Sequence, residues 1–418
     1  MKRDAVLVSI VAVLGAGCAG SAAGRYANLR DAPDAAPEDT AEPPPDTTAD
    51  TATTPDSAEA PRDTSAPTDS RAMDTAPGPD TAVDSRVISD TPMDTSRDTA
   101  AEAGASCPEP PRCDLEPPTP SARTPWVHAL TRVTVALGGP QHRGRDLLLR
   151  EGDRQFALAK FAYGFNDDDL QDEDVELFLL RGCRAWERLG QVRTTNDGAH
   201  APVEGVTDTG GQVFFELPPE RRLGVGLHRI RFVVRGDQTV ADQYVRVVPA
   251  GAQVAVTDVD GTLTESETAE WRVLFGGASP MVHPGAPEVL WALARRGYVI
   301  FYLTARPWWL TQRTHDWVRE RALPPGIVHT TLTFTGATGN AARDFKVQEL
   351  TALTARLGRP PAWAFGNMDS DVQAYSAAGV DPTRAYYFML SGDLRGGNRH
   401  EDYRRLVPLV SAAPLACF

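Results

Sequence analysis

The chain has 418 residues, enough for two or three ordinary domains. Asp and Glu number 56 against 42 Lys and Arg, a formal net charge of -14, which argues against a nucleic-acid binder with its usual basic face. Much of the acid excess is local, however, so it says little about the folded part.

The N-terminus reads as an export signal over residues 1–18. Lys2 and Arg3 give a positive start, Ala5 to Leu14 form an apolar core too short to span a bilayer, and small residues lead to Cys18. The pattern resembles a bacterial lipoprotein signal, with Cys18 as the lipidation site. It departs from the usual form in that Leu14 stands four places before the cysteine. An ordinary cleaved signal with a chance cysteine, or an unexported start, is the plainer alternative. Ala19 after Cys18 points to an outer-membrane lipoprotein or a periplasm-facing protein of the cell envelope. Export permits disulfides among Cys107, Cys113, Cys183 and Cys417, whose three possible pairings stay open. Cys107 and Cys113 can bridge each other across a proline-rich loop, or each can pin this segment to the folded body. Their spacing does not suggest zinc.

Residues 19–123 read as a linker. From about Ala27 to Pro120 the sequence is Asp, Thr, Ala, Pro and Ser, with Asp-Thr repeated from Asp39-Thr40 to Asp98-Thr99. Such a segment buries too little apolar surface to offset chain entropy, so disorder is expected, with proline and like charge keeping it extended. Its simplest role is a tether. A calcium-binding repeat is a weaker reading, since the glycine-bearing turns are missing.

Residues 124–249 show short β-patterned runs: Arg132 to Leu137, Phe156 to Phe161, Val175 to Leu180, Gln212 to Leu217, His228 to Val234 and Gln243 to Val248. Turn residues separate them, and long helical periods are absent, so a β-sandwich is expected. Asn166 to Asp169 reads as a solvated loop rather than a cation site.

Residues 250–418 switch to strands alternating with helices. Strands are expected at Val254–Val256, Tyr298–Leu303, Val328–Phe334, Ala362–Phe365 and Ala385–Met389. Helices are expected at Val289–Arg295, Leu310–Arg321 and Phe345–Leu357. That alternation predicts an α/β fold: a parallel sheet with flanking helices, and function at the carboxyl ends of the strands.

The polar residues fall at those ends. Asp258 and Asp260 follow the first strand, in Thr257-Asp258-Val259-Asp260-Gly261-Thr262. Thr304 and Arg306 follow the second, Lys346 opens a helix, and Asn367 and Asp371 follow the fourth. Each type suits phosphoryl transfer. Asp258 reads as the nucleophile that forms an aspartyl-phosphate, and Asp260 as the proton carrier for leaving oxygen and water. Crowded carboxylates need a cation, and Mg²⁺ prefers hard oxygens from Asp258, Asp260 (its backbone carbonyl), Asn367 and Asp371. Thr304 offers a hydrogen bond to a phosphoryl oxygen and Lys346 offers positive charge. Thr262 and Arg306 are candidate substrate-binding residues, although Arg306 equally suits bracing the loops. A decorative acidic turn is the bland alternative, and the order of the four groups counts against it.

This order resembles the four-motif signature of the haloacid dehalogenase superfamily. The phrases Asp258-Val259-Asp260-Gly261-Thr262 with Thr264-Glu265-Ser266, and Leu303-Thr304-Ala305-Arg306 with Thr314 and Trp317, resemble the catalytic domain of lipins. So do Phe345-Lys346-Val347-Gln348, Ala364-Phe365-Gly366-Asn367 with Asp371-Val372 and Tyr375, and Ser391-Gly392-Asp393-Leu394. That domain also occurs in membrane-associated phosphatidylinositol transfer proteins. The resemblance covers roughly Ala252 to Leu394. It implies an uncapped haloacid-dehalogenase-like sheet, an immunoglobulin-like sandwich before it, and a Mg²⁺-dependent phosphatidate phosphatase that makes diacylglycerol. The expected partners are a phospholipid substrate and, through the lipid anchor, a membrane; oligomeric state stays open. Asn367 matches the lipin form of the last motif, and no lipin-like membrane-docking helix is found. Trp308 and Trp309 suit a lipid surface, though packing of the next helix is the plainer reading, and His283 and His315 read as structural. Two alternatives stand: a phosphatase for another envelope phosphomonoester lipid, and a non-catalytic phosphatidate-binding module. The transfer-protein relatives lack a complete D-x-D-x-T motif, whereas Asp258, Asp260 and Thr262 are all present here.

Overall fold

The computed structural model describes residues 106–265 and 279–418. The export signal, Cys18, the Asp-Thr segment up to residue 105 and Ser266 lie outside the described residues. Among the described residues no helix is long and apolar enough to cross a membrane.

The stretch 106–123 has no helix or strand, yet it belongs to the body. Cys107 is bonded to Cys417 and Cys113 to Cys183, so each cysteine pins this strap and neither bridges the other. The Cys107 amide donates to Arg295 O (2.7 Å), the Trp186 indole to Leu115 O (3.2 Å), and Ser121 Oγ to Glu176 Oε1 (2.7 Å). The folded body therefore starts near residue 106 rather than Thr124. The strap's composition hides this, because its order comes from partners on other elements.

The first helix, α1 (Thr131–Ala136), replaces the strand expected at Arg132 to Leu137. The buried Glu173 carboxylate collects the Val127 and His128 amides (2.9 and 3.0 Å) and the Thr131 hydroxyl (2.6 Å), which folds the chain into a turn. Leu130, Val133 and Leu137 face solvent, so their apolar pattern never met a partner strand. Ten strands follow: β1 (Arg143–Gly144), β2 (Leu147–Arg150), β3 (Phe156–Lys160), β4 (Ala162–Tyr163), β5 (Asp168–Asp169), β6 (Asp174–Arg181), β7 (Ala185–Arg193), β8 (Gln212–Glu216), β9 (Gly226–Val234) and β10 (Val240–Val248). They form a three-stranded sheet β1-β3-β8, a five-stranded sheet β2-β10-β9-β6-β7 and the small pair β4-β5. Strand β7 is mostly exposed, which is why its charged sequence escaped detection.

The five-stranded sheet is buried on both faces. Leu147, Leu149, Leu177, Leu179 and Ile230 point into the sandwich core, and Leu148, Leu180, Leu227, Tyr244 and Val248 into a second core shared with the next domain. Side chains alternate faces along a strand, so a sheet covered twice reads as unbroken leucine and valine runs.

The second domain is a six-stranded, all-parallel sheet with helices on both faces. Its strands are β11 (Val254–Thr257), β12 (Val299–Leu303), β13 (Ile327–His329), β14 (Trp363–Gly366), β15 (Ala385–Phe388) and β16 (Asn398–His400), in the order β13-β12-β11-β14-β15-β16. The helices are α2 (Ala286–Arg295), α3 (Thr311–Glu320), α4 (Gly339–Leu357), α5 (Asp369–Ala377) and α6 (Val407–Ser411). Expected and observed strands agree except that β13 stops at His329 and that the polar edge strand β16 was not foreseen. The order reverses between β11 and β14, which opens a crevice at their carboxyl ends.

One buried carboxylate joins the two domains. Asp146 Oδ1 accepts from the Tyr244 amide (2.8 Å), and Oδ2 accepts from the Val328 amide (2.9 Å) and lies 2.7 Å from His315 Nε2. Its carbonyl meets His329 Nε2 at 2.9 Å. Arg145, next in the chain, forks onto Glu349 of α4 at 2.8 and 3.0 Å. Replacing Asp146 by Ala strands several buried donors, so Asp146→Ala should lower unfolding free energy by about 3 kcal/mol or more in urea titration. Asp146→Asn should lose less.

Candidate active site

Short strands ending at one edge place every candidate. Asp258 follows β11, anchored by its amide on Phe365 O (2.9 Å). Gly261, at φ +71°, turns the chain back, and its amide donates to Thr264 Oγ1 (3.0 Å). Thr304 follows β12, with its amide on His329 O (3.0 Å). After β14 the Asp371 Oδ2 accepts from the Asn367 and Met368 amides, both at 3.0 Å, and so caps α5. Gly366 is required there, because a Cβ on it would lie 2.5 Å from Asp371 Cβ.

Lys346, on α4, ties the centre together. Its Nζ donates to Asp258 Oδ1 and to Asp371 Oδ1, each at 2.6 Å. All three side chains are buried. Burial pushes the Asp258 carboxyl up; Lys346 pulls it down, Asp371 and Asp260 push it further, and it settles at about 7. Burial works against the Lys346 ammonium, but Asp258 and Asp371 outweigh it and hold its pKa above the usual value.

Asp260 stands nearer solvent, its side chain 18% exposed. Arg306 grips it with a fork, Nε to Oδ2 at 2.9 Å and Nη2 to Oδ1 at 2.8 Å, while Nη1 donates to Thr314 Oγ1 (3.0 Å). Thr304 Oγ1 donates to Asp260 Oδ2 (3.0 Å). Thr262 is fully buried, its Oγ1 3.1 Å from Asp258 Oδ2 and 2.8 Å from Asn367 Oδ1.

The edge thus brings together all eight residues named from the sequence, and the bracing role open to Arg306 is the one its contacts display. Thr262 orients Asp258 and Asn367 through its hydroxyl. Arg306 braces Asp260, because a guanidinium fork matches a carboxylate better than any single donor. Thr304 shares that task. Among the described residues no three His, Cys, Asp or Glu side chains form a metal cage. A hard-oxygen set remains in Asp258, Asn367 and the carbonyl of Asp260, and Mg²⁺ keeps several waters and needs few protein ligands. Asp371 is engaged on both oxygens, so an ion there would have to draw one from its present partner. Burial first, and then the charges of Asp371 and Asp260, raise Asp258; a dication would offset both, and the residues fit one on that ground.

Sequence reading missed the supports. Tyr403 OH donates to Thr262 O (2.9 Å), and Thr331 donates by amide (3.0 Å) and hydroxyl (2.9 Å) to Arg306 O. A tyrosine 141 residues away from its partner leaves no local signal. Trp308 is buried against the sandwich, its indole on Gly144 O (3.2 Å) and its ring under Arg143, so packing is its role. Trp309 is half-buried, its indole on Phe334 O (2.8 Å). His315 serves the domain seam, and the His283 ring lies against Phe388. The acidic stretch is not the solvated loop expected: Asp168–Asp169 form β5 against β4, and Asp167 pairs with Arg143 and Asp169 with Lys160.

Comparison with known proteins agrees with both domains. Residues 255–389 match the family model described as the LNS2 domain of PITM 1-3, and residues 140–247 match that described as the PITM 1-3 beta-sandwich domain. The chain is 31% identical over 214 residues to human membrane-associated phosphatidylinositol transfer protein 3, covering 51% of this chain and 20% of that protein. It is 31% identical over 270 residues to the human protein 2 of that name, covering 64% and 18%. Protein retinal degeneration B of Drosophila melanogaster is 28% identical over 261 residues, covering 62% and 19%. The chain spans about a fifth of the length of these curated relatives.

An acid whose folded pKa lies above its ordinary 3.8, as at Asp258, binds a proton on folding between the two values. Stability of the metal-free protein should therefore fall as pH rises from about 4 to about 7. Urea midpoints across that range should show the fall in wild type and lose most of it in Asp258→Asn. The same pH slope in the variant would refute the assignment. Both domains make the chain a homologue of the membrane-associated phosphatidylinositol transfer proteins over its sandwich and its parallel-sheet segment.

Proposed function

We propose that the chain is a Mg²⁺-dependent phosphatidate phosphatase that works through an aspartyl-phosphate, on a haloacid-dehalogenase-like domain beside an immunoglobulin-like sandwich. The supporting observation is the Lys346 ammonium shared by Asp258 and Asp371 at 2.6 Å each, with Asp260 held next to it by Arg306.

The Asp258 oxygen attacks phosphorus, and the bond from phosphorus to the glycerol oxygen breaks. Asp260 gives that oxygen its proton, releasing diacylglycerol. Water then attacks the acyl phosphate and passes a proton to Asp260, which frees Asp258 and inorganic phosphate. Lys346 keeps the nucleophile ionised and aimed, and Thr262 fixes its second oxygen. Mg²⁺, held by Asp258, the Asp260 carbonyl and Asn367 with Asp371 behind them, would offset charge on the phosphoryl oxygens. The segment between Arg306 and Lys346 is taken up by α3, β13 and the start of α4, which leaves the mouth open on that side for a large lipid. A lipid anchor at Cys18 in the cell envelope would hold the enzyme near its substrate by raising local concentration.

The names of the relatives favour a second reading, a phosphatidate-binding module without turnover. Another envelope phosphomonoester lipid is the third. In mixed micelles with Mg²⁺, wild type should release phosphate from phosphatidate, and Asp258→Asn should cut the rate by at least about a thousandfold with its circular dichroism unchanged. Binding of phosphatidate with no phosphate release under any divalent metal would establish the binding module. Preference for lysophosphatidate or phosphatidylglycerophosphate in the same assay would establish the third. Arg306→Lys, which loses the fork but keeps the charge, should lower kcat by about tenfold or more.

A further inference from the structure

The catalytic edge uses the carboxyl ends of the parallel strands, and a second set of groups lies at their amino ends. A groove of about 590 Å³ is bounded by Pro110 of the strap, Arg184, Gly226, Leu227, Arg246 and Phe418. It shares Pro110, Leu227, Arg246 and Phe418 with an apolar slot of about 70 Å³ between Tyr298, Val299, Pro325 and Ile327. Its outer size is that of an ordinary small-molecule site.

Arg246, on β10, stands where groove and slot meet. Its Nε is buried without a hydrogen-bond partner. Four other described arginines share that feature, namely Arg143, Arg145, Arg229 and Arg235, and each holds a carboxylate through its remaining nitrogens. Arg246 holds none; its neighbour is the Phe418 ring, 5.2 Å away. Burial alone pulls its pKa down, to about 10, with no opposing charge. Nearby acids are committed elsewhere, Glu109 to Arg295 and Glu187 to Arg181. Arg184 is exposed on the groove wall, and its side chain has no partner among the described residues. A guanidinium does not shed its proton, so a partly buried one without a counter-ion costs stability. The slot beyond it, walled in part by Val299, Pro325 and Ile327, offers apolar surface to a hydrocarbon chain.

We propose that this groove binds an anionic amphiphile, with a carboxylate or phosphate head on Arg246 and Arg184 and a short apolar chain in the slot past Phe418. The site is made by the strap, the sandwich and the parallel sheet together. It is separate from the catalytic mouth and does not depend on catalysis.

The test uses the full chain, stripped of lipid, with octyl phosphate, octanoate and inorganic phosphate as probes in thermal-shift and calorimetric titrations. Octyl phosphate and octanoate should each raise Tm saturably, as a ligand of the native state must, and inorganic phosphate at equal concentration should do so far less. Arg246→Met should weaken both amphiphiles at least about tenfold and raise the Tm of the ligand-free protein, because it replaces an uncompensated charge by an apolar chain. Arg184→Glu, at an exposed position, should weaken binding several-fold without changing the ligand-free Tm, which serves if Arg246→Met does not fold. Asp258→Asn should bind like wild type. No saturable shift with either amphiphile, undiminished binding in Arg246→Met and Arg184→Glu, or loss of binding in Asp258→Asn would overturn the proposal. So would inorganic phosphate acting as strongly as octyl phosphate, which would mean a free-anion site. A lower ligand-free Tm in Arg246→Met would also overturn it, by making the arginine a structural cap for Phe418.

Discussion

A single ammonium group, Lys346 Nζ, stands between two buried aspartates that would otherwise repel each other. Asp258 ends the central strand and Asp371 opens the helix after the next one, so the pair lies across the crevice where the strand order reverses. Two carboxylates cannot both stay ionised in a dry site without such a partner. Everything else at the edge serves the same balance. Thr262 meets the free oxygen of Asp258, two backbone amides meet the free oxygen of Asp371, and Arg306 takes Asp260. Asp258 nonetheless stays raised, by burial first and then by the charges of Asp371 and Asp260.

The position of Lys346 depends in turn on the sandwich. Glu349 lies three residues further along α4, and Arg145 and His329 hold its carboxylate. These opposing charges outweigh the penalty of burial and keep the Glu349 carboxyl well below the usual range. Arg145 belongs to the stretch between β1 and β2, and the neighbouring Asp146 fixes His315 of α3 and the start of β13. The sandwich thus sets the height and rotation of the helix that delivers the lysine. That coupling gives the two domains a shared reason to be one body, and it matches the second apolar core they build together.

Much of this could be read from sequence wherever a signal was local. The strands β11, β12, β14 and β15 announce themselves as apolar runs, and the first three are followed directly by Asp258, Thr304 and Asn367, so the edge and its eight members were legible. The hydrogen-bond partners of Thr262 and Thr304 were not, because a hydroxyl says nothing about which way it turns until its neighbours are placed. Exposed strand β7 and edge strand β16 carry too few apolar residues to show period two. Helix α1 misled because its apolar residues face water, and the side chain that bends it, Glu173, comes 42 residues later. The strap from residue 106 looked like linker since proline-rich chain makes no ladder of its own.

The strap's two disulfides have a mechanical meaning. Cys107 is joined to Cys417 at the far end of the parallel-sheet domain, and Cys113 is joined to Cys183 at the β6–β7 turn of the sandwich. Any pull transmitted along the chain upstream of Ser106 arrives first at Cys107. It then divides through covalent bonds between the two domains. No strand lies in that load path, so tension cannot peel a sheet open one hydrogen bond at a time. The body is hung from two rivets, one in each domain, both set away from the edge that carries Asp258 and Lys346.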